Sequence, residues 1–81
     1  MGQKRKIRLV EMANDEKGTV VGLLGGAWAV SKLEALGIRV GVNLVKKSSF
    51  IARGPVVVTV GGTEIAMGYG MAAKILLEVD D

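Results

Sequence analysis

Eight carboxylates are the first residues to weigh for chemistry: Glu11, Asp15, Glu16, Glu34, Glu64, Glu78, Asp80 and Asp81. A pair of them in a cleft would supply general acid and base, and a cluster would hold a hard divalent cation through oxygen. Asp15-Glu16 falls in a polar turn before Gly18, and Asp80-Asp81 ends the sequence. Neighbouring carboxylates on such segments rarely converge on one point, so both pairs read as solvated. Glu34 and Glu64 are single surface charges. With no Cys and no His in 81 residues, zinc fingers, thiolate clusters and Cys- or Ser-His nucleophilic catalysis are excluded.

Gly68-Tyr69-Gly70-Met71-Ala72-Ala73 matches a G-x-G-x-x-A dinucleotide pattern. That fingerprint needs a following helix inside a βαβ unit of about 30 residues, and too little chain remains for one. The run reads as a tight turn instead. No glycine precedes a Lys-Ser or Lys-Thr pair, so there is no phosphate-cradling loop either.

Basic and aromatic side chains remain as contact candidates. Trp28, Lys32, Arg39, Lys46, Lys47, Phe50, Arg53 and Tyr69 are the positions at which a partner would be met. Lys46-Lys47 reads as part of a solvated face. Trp28 lies off the helical stripe of Ala29, Leu33 and Leu36, either as a partner contact or as a lid on the core. Nucleic acid is a poor fit, because three scattered aromatics give no stacking platform. The charge also points away from it: of the net +3, residues 1–8 carry four positive charges, which leaves the rest at −1.

The elements that position these residues are mainly β. Val56 to Val60, Gly61-Gly62 and Thr63 to Met67 predict a hairpin with a two-residue turn of positive φ. Its register sets Val60 opposite Thr63, Val58 opposite Ile65 and Val56 opposite Met67, with Met12 and Met71 filling core gaps elsewhere. A helix is predicted over Ala27 to Leu36, stopped by Gly37 with Ile38 folding back on Leu33. Further strands are expected over Gly18 to Leu24, Asn43 to Ser48 and Ile75 to Val79, with a loop at Ser49 to Gly54 and a turn at Tyr69 to Lys74. About five short strands and one short helix, inserted after the first of them, suit a small, partly open barrel. The chain divides into a basic, flexible tail over residues 1–8 and one domain over 9–81. Although 49% of the residues are apolar, the longest stretch free of charged and hydroxyl side chains is Val20 to Val30, too short to span a bilayer. The basic N-terminus lacks the apolar segment of a signal peptide, and a cytoplasmic location is expected.

Several runs together resemble the FeoA family: Gly18-Thr19-Val20-Val21 ahead of Gly25-Gly26, Lys32 to Gly41 across the helix end, Gly54-Pro55-Val56-Val57-Val58, and Ile65-Ala66-Met67-Gly68 leading to Ala72-Ala73-Lys74-Ile75. The most specific piece is Leu-x-x-Leu-Gly-Ile-x-x-Gly at Leu33 to Gly41. The resemblance implies an SH3-like barrel similar to the C-terminal domain of diphtheria toxin repressor type metalloregulators, here without a helix-turn-helix before it. It implies a non-enzymatic, cytoplasmic accessory of bacterial ferrous iron uptake, with a FeoB-type membrane transporter as partner. The family transfers no catalytic residues and no cofactor; its metalloregulator likeness implies at most a weak divalent metal ion. Gly2 to Lys6 lies ahead of the family's usual start.

Overall fold

A computed structural model describes residues 2–49 and 54–80. Six strands are present: β1 (Lys4–Arg8), β2 (Lys17–Leu23), β3 (Asn43–Ser49), β4 (Val56–Val60), β5 (Thr63–Met67) and β6 (Ile75–Asp80). Helix α1 (Ala27–Ala35) connects β2 to β3, the four-residue helix α2 (Tyr69–Ala72) connects β5 to β6, and a 3-10 turn at Leu9–Glu11 follows β1. All pairings are antiparallel, in the order β1-β6-β2-β3-β4-β5. That order leaves β1 and β5 as edges, so the barrel is partly open.

Period-two alternation builds the core. Val56 and Val58 from β4, Ile75, Leu77 and Val79 from β6, and Val20, Leu44 and Met67 from the other strands all turn inward and are buried. Leu9, Met12, Leu33, Ile38 and Ala72 complete one continuous cluster. Gly18 is buried in β2 because β6 crosses it closely: a Cβ there would stand 3.0 Å from Val79 Cγ1. The β4–β5 hairpin has the expected register from Val56 with Met67 to Val60 with Thr63. Gly61 and Gly62 take φ of 56° and 82°, the left-handed pair such a turn needs.

Helix α1 stops as its sequence dictates. The Ile38 N–H donates to the Leu33 carbonyl and the Gly37 N–H to the Glu34 carbonyl, both at 3.0 Å, while Leu33 and Ile38 are fully buried. This is a Schellman stop with its apolar contact in place. Gly37 has φ of 92°, and a Cβ there would meet nothing within 4 Å, so backbone conformation alone decides a substitution. Gly37→Val is expected to lose roughly 1–2 kcal/mol. At about 4–8 °C per kcal/mol for a domain of this size, a thermal melt reads that loss directly.

Four expectations are corrected. Residues 1–8, read as a flexible tail, contain β1, which pairs along its length with β6. The strands therefore number six, and α1 follows the second. The segment Tyr69 to Lys74 is a short helix rather than a turn, and it leads straight into β6, with no βαβ unit for the glycine fingerprint. Leu36, placed on the core stripe of α1, is exposed. Most of the loop expected at Ser49 to Gly54 lies outside the described residues, and Ser49 itself ends β3.

Candidate interaction surface

Helix α1 carries apolar side chains on both its buried and its solvent sides. Ala29 and Leu33 face the core, while the opposite side shows Trp28, Ser31, Lys32, Ala35 and the capping Leu36 to solvent. Trp28 is 72% exposed, and the Lys32 ammonium lies 5.6 Å from the centroid of its ring. Two more large apolar side chains stand exposed at the chain's approach and exit, Leu24 and Val40, the latter at 64%. Single exposed hydrophobes are ordinary, but four within one short stretch, Trp28 in α1 and Leu36 capping it among them, mark a candidate contact surface.

Local structure holds this surface rigidly. On the approach, Gly25 takes φ of 97° and the Leu24 N–H donates to the Lys74 carbonyl at 2.7 Å. On the exit, the Gly41 N–H donates to the Val20 carbonyl at 2.7 Å. Between them the buried Leu33 and Ile38 fix the rotation of the helix. Exposed charge in residues 24–42 is cationic, from Lys32 and Arg39; the one carboxylate, Glu34, is half-buried.

The other contact candidates separate. Lys47 is exposed and paired with Asp15 at 3.3 Å. Lys46, read with it as a solvated basic face, is only 3% exposed. Its side chain shares the inward face of β3 with Leu44, and a bulge between Lys46 and Ser48 leaves Lys47 as the extra, outward residue. The Lys46 ammonium donates to the Met12 carbonyl at 2.7 Å, and its backbone exchanges hydrogen bonds with Asp15 and Glu16. Burial pushes the Lys46 pKa below 10.5, with nearby Glu16 opposing the shift. Tyr69 is half-buried at the start of α2. Phe50 and Arg53 lie outside the described residues. Leu24, Leu36 and Val40 were missed as surface residues, since an apolar side chain beside a helix reads as core unless its angular position is resolved.

The carboxylates are dispersed. Glu78 pairs in register with Thr19, which pairs in turn with Asn43, so the outer face of β6, β2 and β3 carries one polar row. Lys17, Gly18 and Asp80 join these three around an open cleft of about 260 Å³. Within it Thr19 Oγ1 donates to Asn43 Oδ1 at 2.7 Å, and Lys4 reaches Glu78 at 3.7 Å. Glu11 accepts from the Arg8 backbone N–H at 2.8 Å, which lowers its pKa. Among the described residues, no group of three or more His, Cys, Asp or Glu is placed to hold a metal ion.

A model of the FeoA domain matches residues 7–79. The chain belongs to the FeoA family. A crystal structure of FeoA, described as an iron uptake regulatory protein, is 33% identical and superposes with a TM-score of 0.85 over 93% of this chain and 100% of its own. Stenotrophomonas maltophilia FeoA complexed with zinc, described as a prokaryotic SH3 domain protein, is 24% identical with a TM-score of 0.71 over 93% of this chain and 89% of its own. A manganese-dependent transcriptional repressor shares 16% identity and a TM-score of 0.85 over 98% of this chain but 44% of its own, a likeness of fold alone. A comparison with curated proteins returns no match. The SH3-like barrel expected from the residue runs is thus the fold, and ferrous iron transport is the setting of this FeoA-family protein. The zinc and manganese of these neighbours have no gathered donor set here among the described residues.

Proposed function

We propose that this FeoA-family protein is a non-catalytic cytoplasmic accessory of ferrous iron uptake, docking on the cytosolic part of a FeoB-type membrane transporter and modulating it. The observation that carries this reading is the family match over residues 7–79, nearly the whole chain. It is supported by the exposed apolar surface at α1, the kind of feature an interaction module displays. Among the described residues, no helix is long and apolar enough to cross a membrane. Metal carriage is the weaker reading, because neither His nor Cys is present and the carboxylates are dispersed.

Calorimetric titration of the full chain into the soluble G domain of the cognate transporter tests the reading, with and without nucleotide. Saturable binding in at least one nucleotide state, together with a changed rate of nucleotide hydrolysis, is the expected result. Absence of heat at high micromolar concentration in both states overturns direct docking.

A further inference from the structure

Helix α1 and the segments before and after it show a nearly bare indole, exposed aliphatic side chains, and the exposed cations Lys32 and Arg39 with no exposed acid. We propose that this face adsorbs to an anionic lipid surface, with Trp28, Leu24, Leu36 and Val40 seated at the headgroup boundary and Lys32 and Arg39 against lipid phosphates. The proposal goes beyond the docking reading and does not depend on it.

Charge complementarity names the occupant. In residues 24–42 the exposed charges are Lys32 and Arg39, while Glu34 is half-buried on the flank of the helix. Lys74, whose carbonyl holds Leu24 and whose side chain runs beside Gly25, adds a third cation near the start of α1. Such a cluster favours a negative surface.

The pairing of Lys32 with Trp28 separates a lipid surface from a dry protein groove. With the ammonium 5.6 Å from the ring centroid, burying the indole in a groove carries the cation in with it. A dry groove must then place a carboxylate there to offset the lost hydration, or give up the pairing as the exposed lysine turns away. At a membrane interface both groups are satisfied at once: the indole takes its favoured depth and the ammonium reaches up to wet, anionic headgroups. The apolar side chains are also spread over the approach, the helix and the exit rather than along one helical line. A fluid surface accommodates that spread more readily than a groove shaped for one helix. Adsorption of this kind requires no spanning segment.

Trp28 is the chain's one tryptophan, so its fluorescence reports on this face alone. The test adds vesicles of phosphatidylcholine with phosphatidylglycerol, or of phosphatidylcholine alone, to the full chain at low salt, and follows Trp28 emission and co-sedimentation. The expected result is a blue shift with the anionic vesicles, reversed by salt and absent with phosphatidylcholine alone. A Lys32→Glu, Arg39→Glu double variant with unchanged melting temperature should partition at least about tenfold more weakly. Trp28→Ala should also sediment less. Sedimentation without any shift of Trp28 emission overturns the proposal, because it assigns binding to another basic face such as β1. A blue shift produced by the transporter's soluble G domain, with none from vesicles, overturns it in favour of a protein groove. The first result leaves the calorimetric test of docking untouched, and the second supports docking while it overturns the lipid proposal.

Discussion

Leu33→Ala is expected to destabilise the protein by roughly 2–5 kcal/mol, the range for emptying a fully buried leucine site. Leu33 has no solvent exposure, belongs to the central cluster, and accepts through its carbonyl the Ile38 N–H that closes α1. One side chain therefore serves both the core and the stop of the helix. Truncation leaves a cavity beneath α1 and removes the apolar contact that completes the Schellman turn. At about 4–8 °C per kcal/mol, the fall in melting temperature is large. Ile38→Val, which keeps the contact and loses one methyl group, should cost only about 0.5–1.5 kcal/mol. A circular-dichroism melt of both variants checks the order, and near-equal losses would contradict the anchoring role given to Leu33. The exposed surface around Trp28 suffers with the core, because Leu33 sets the rotation that turns Trp28 outward.

Lys46 carries the second large effect. Lys46→Ala removes about three buried methylenes and leaves the Met12 carbonyl without its donor, for an expected loss of roughly 3 kcal/mol. Lys46→Met keeps the stem and also relieves the burial of a charge, so it should lose about 1 kcal/mol or less. The pH dependence identifies the ammonium. Its pKa in the folded state lies below 10.5, so between the folded and unfolded values the unfolded chain binds more protons. Stability contributed at this site therefore rises as pH climbs toward 10.5, while below the folded value the desolvation penalty is constant. Denaturant titrations from neutral to alkaline pH should show this rise in the wild type and lack it in Lys46→Met. Parallel profiles would mean that the Lys46 ammonium is not held out of water.

The parts of this fold that could be read in advance are those in which neighbours in sequence decide the structure. Gly61-Gly62 needs only its own φ angles and the valines before it, and Leu33 to Ile38 encodes a complete helix stop. β1 was not readable in that way. Lys4 to Arg8 contains a single apolar residue, Ile7, and its strand partner lies at the far end of the chain, where Lys4 meets Asp80 and Lys6 meets Glu78. Local propensity carries no record of such a pairing. Lys46 differs again: its parity with Leu44 pointed inward, but its charge argued for solvent, and the waiting Met12 carbonyl was invisible. The candidate contact surface was half legible. Trp28 stood off the core stripe, while Leu36 shared the spacing of Ala29 and Leu33 and was placed with them in the core, although it caps the helix and is exposed.

The place of β6 in the sheet has a kinetic consequence. It lies between β1 and β2, the first two strands in chain order, although it is itself the last. The β4–β5 hairpin closes across two glycines and α1 closes on itself, so both can form early and locally. Neither creates the β1-β6-β2 half of the sheet, which exists only once β6 has returned across nearly the whole domain to meet β2 and β1. The entropy of closing that long loop comes before any of its contacts are gained. Refolding of this small protein is therefore expected to wait on β6 meeting β1 and β2, and to be slower than that of helical domains of equal length, which stopped-flow refolding checks.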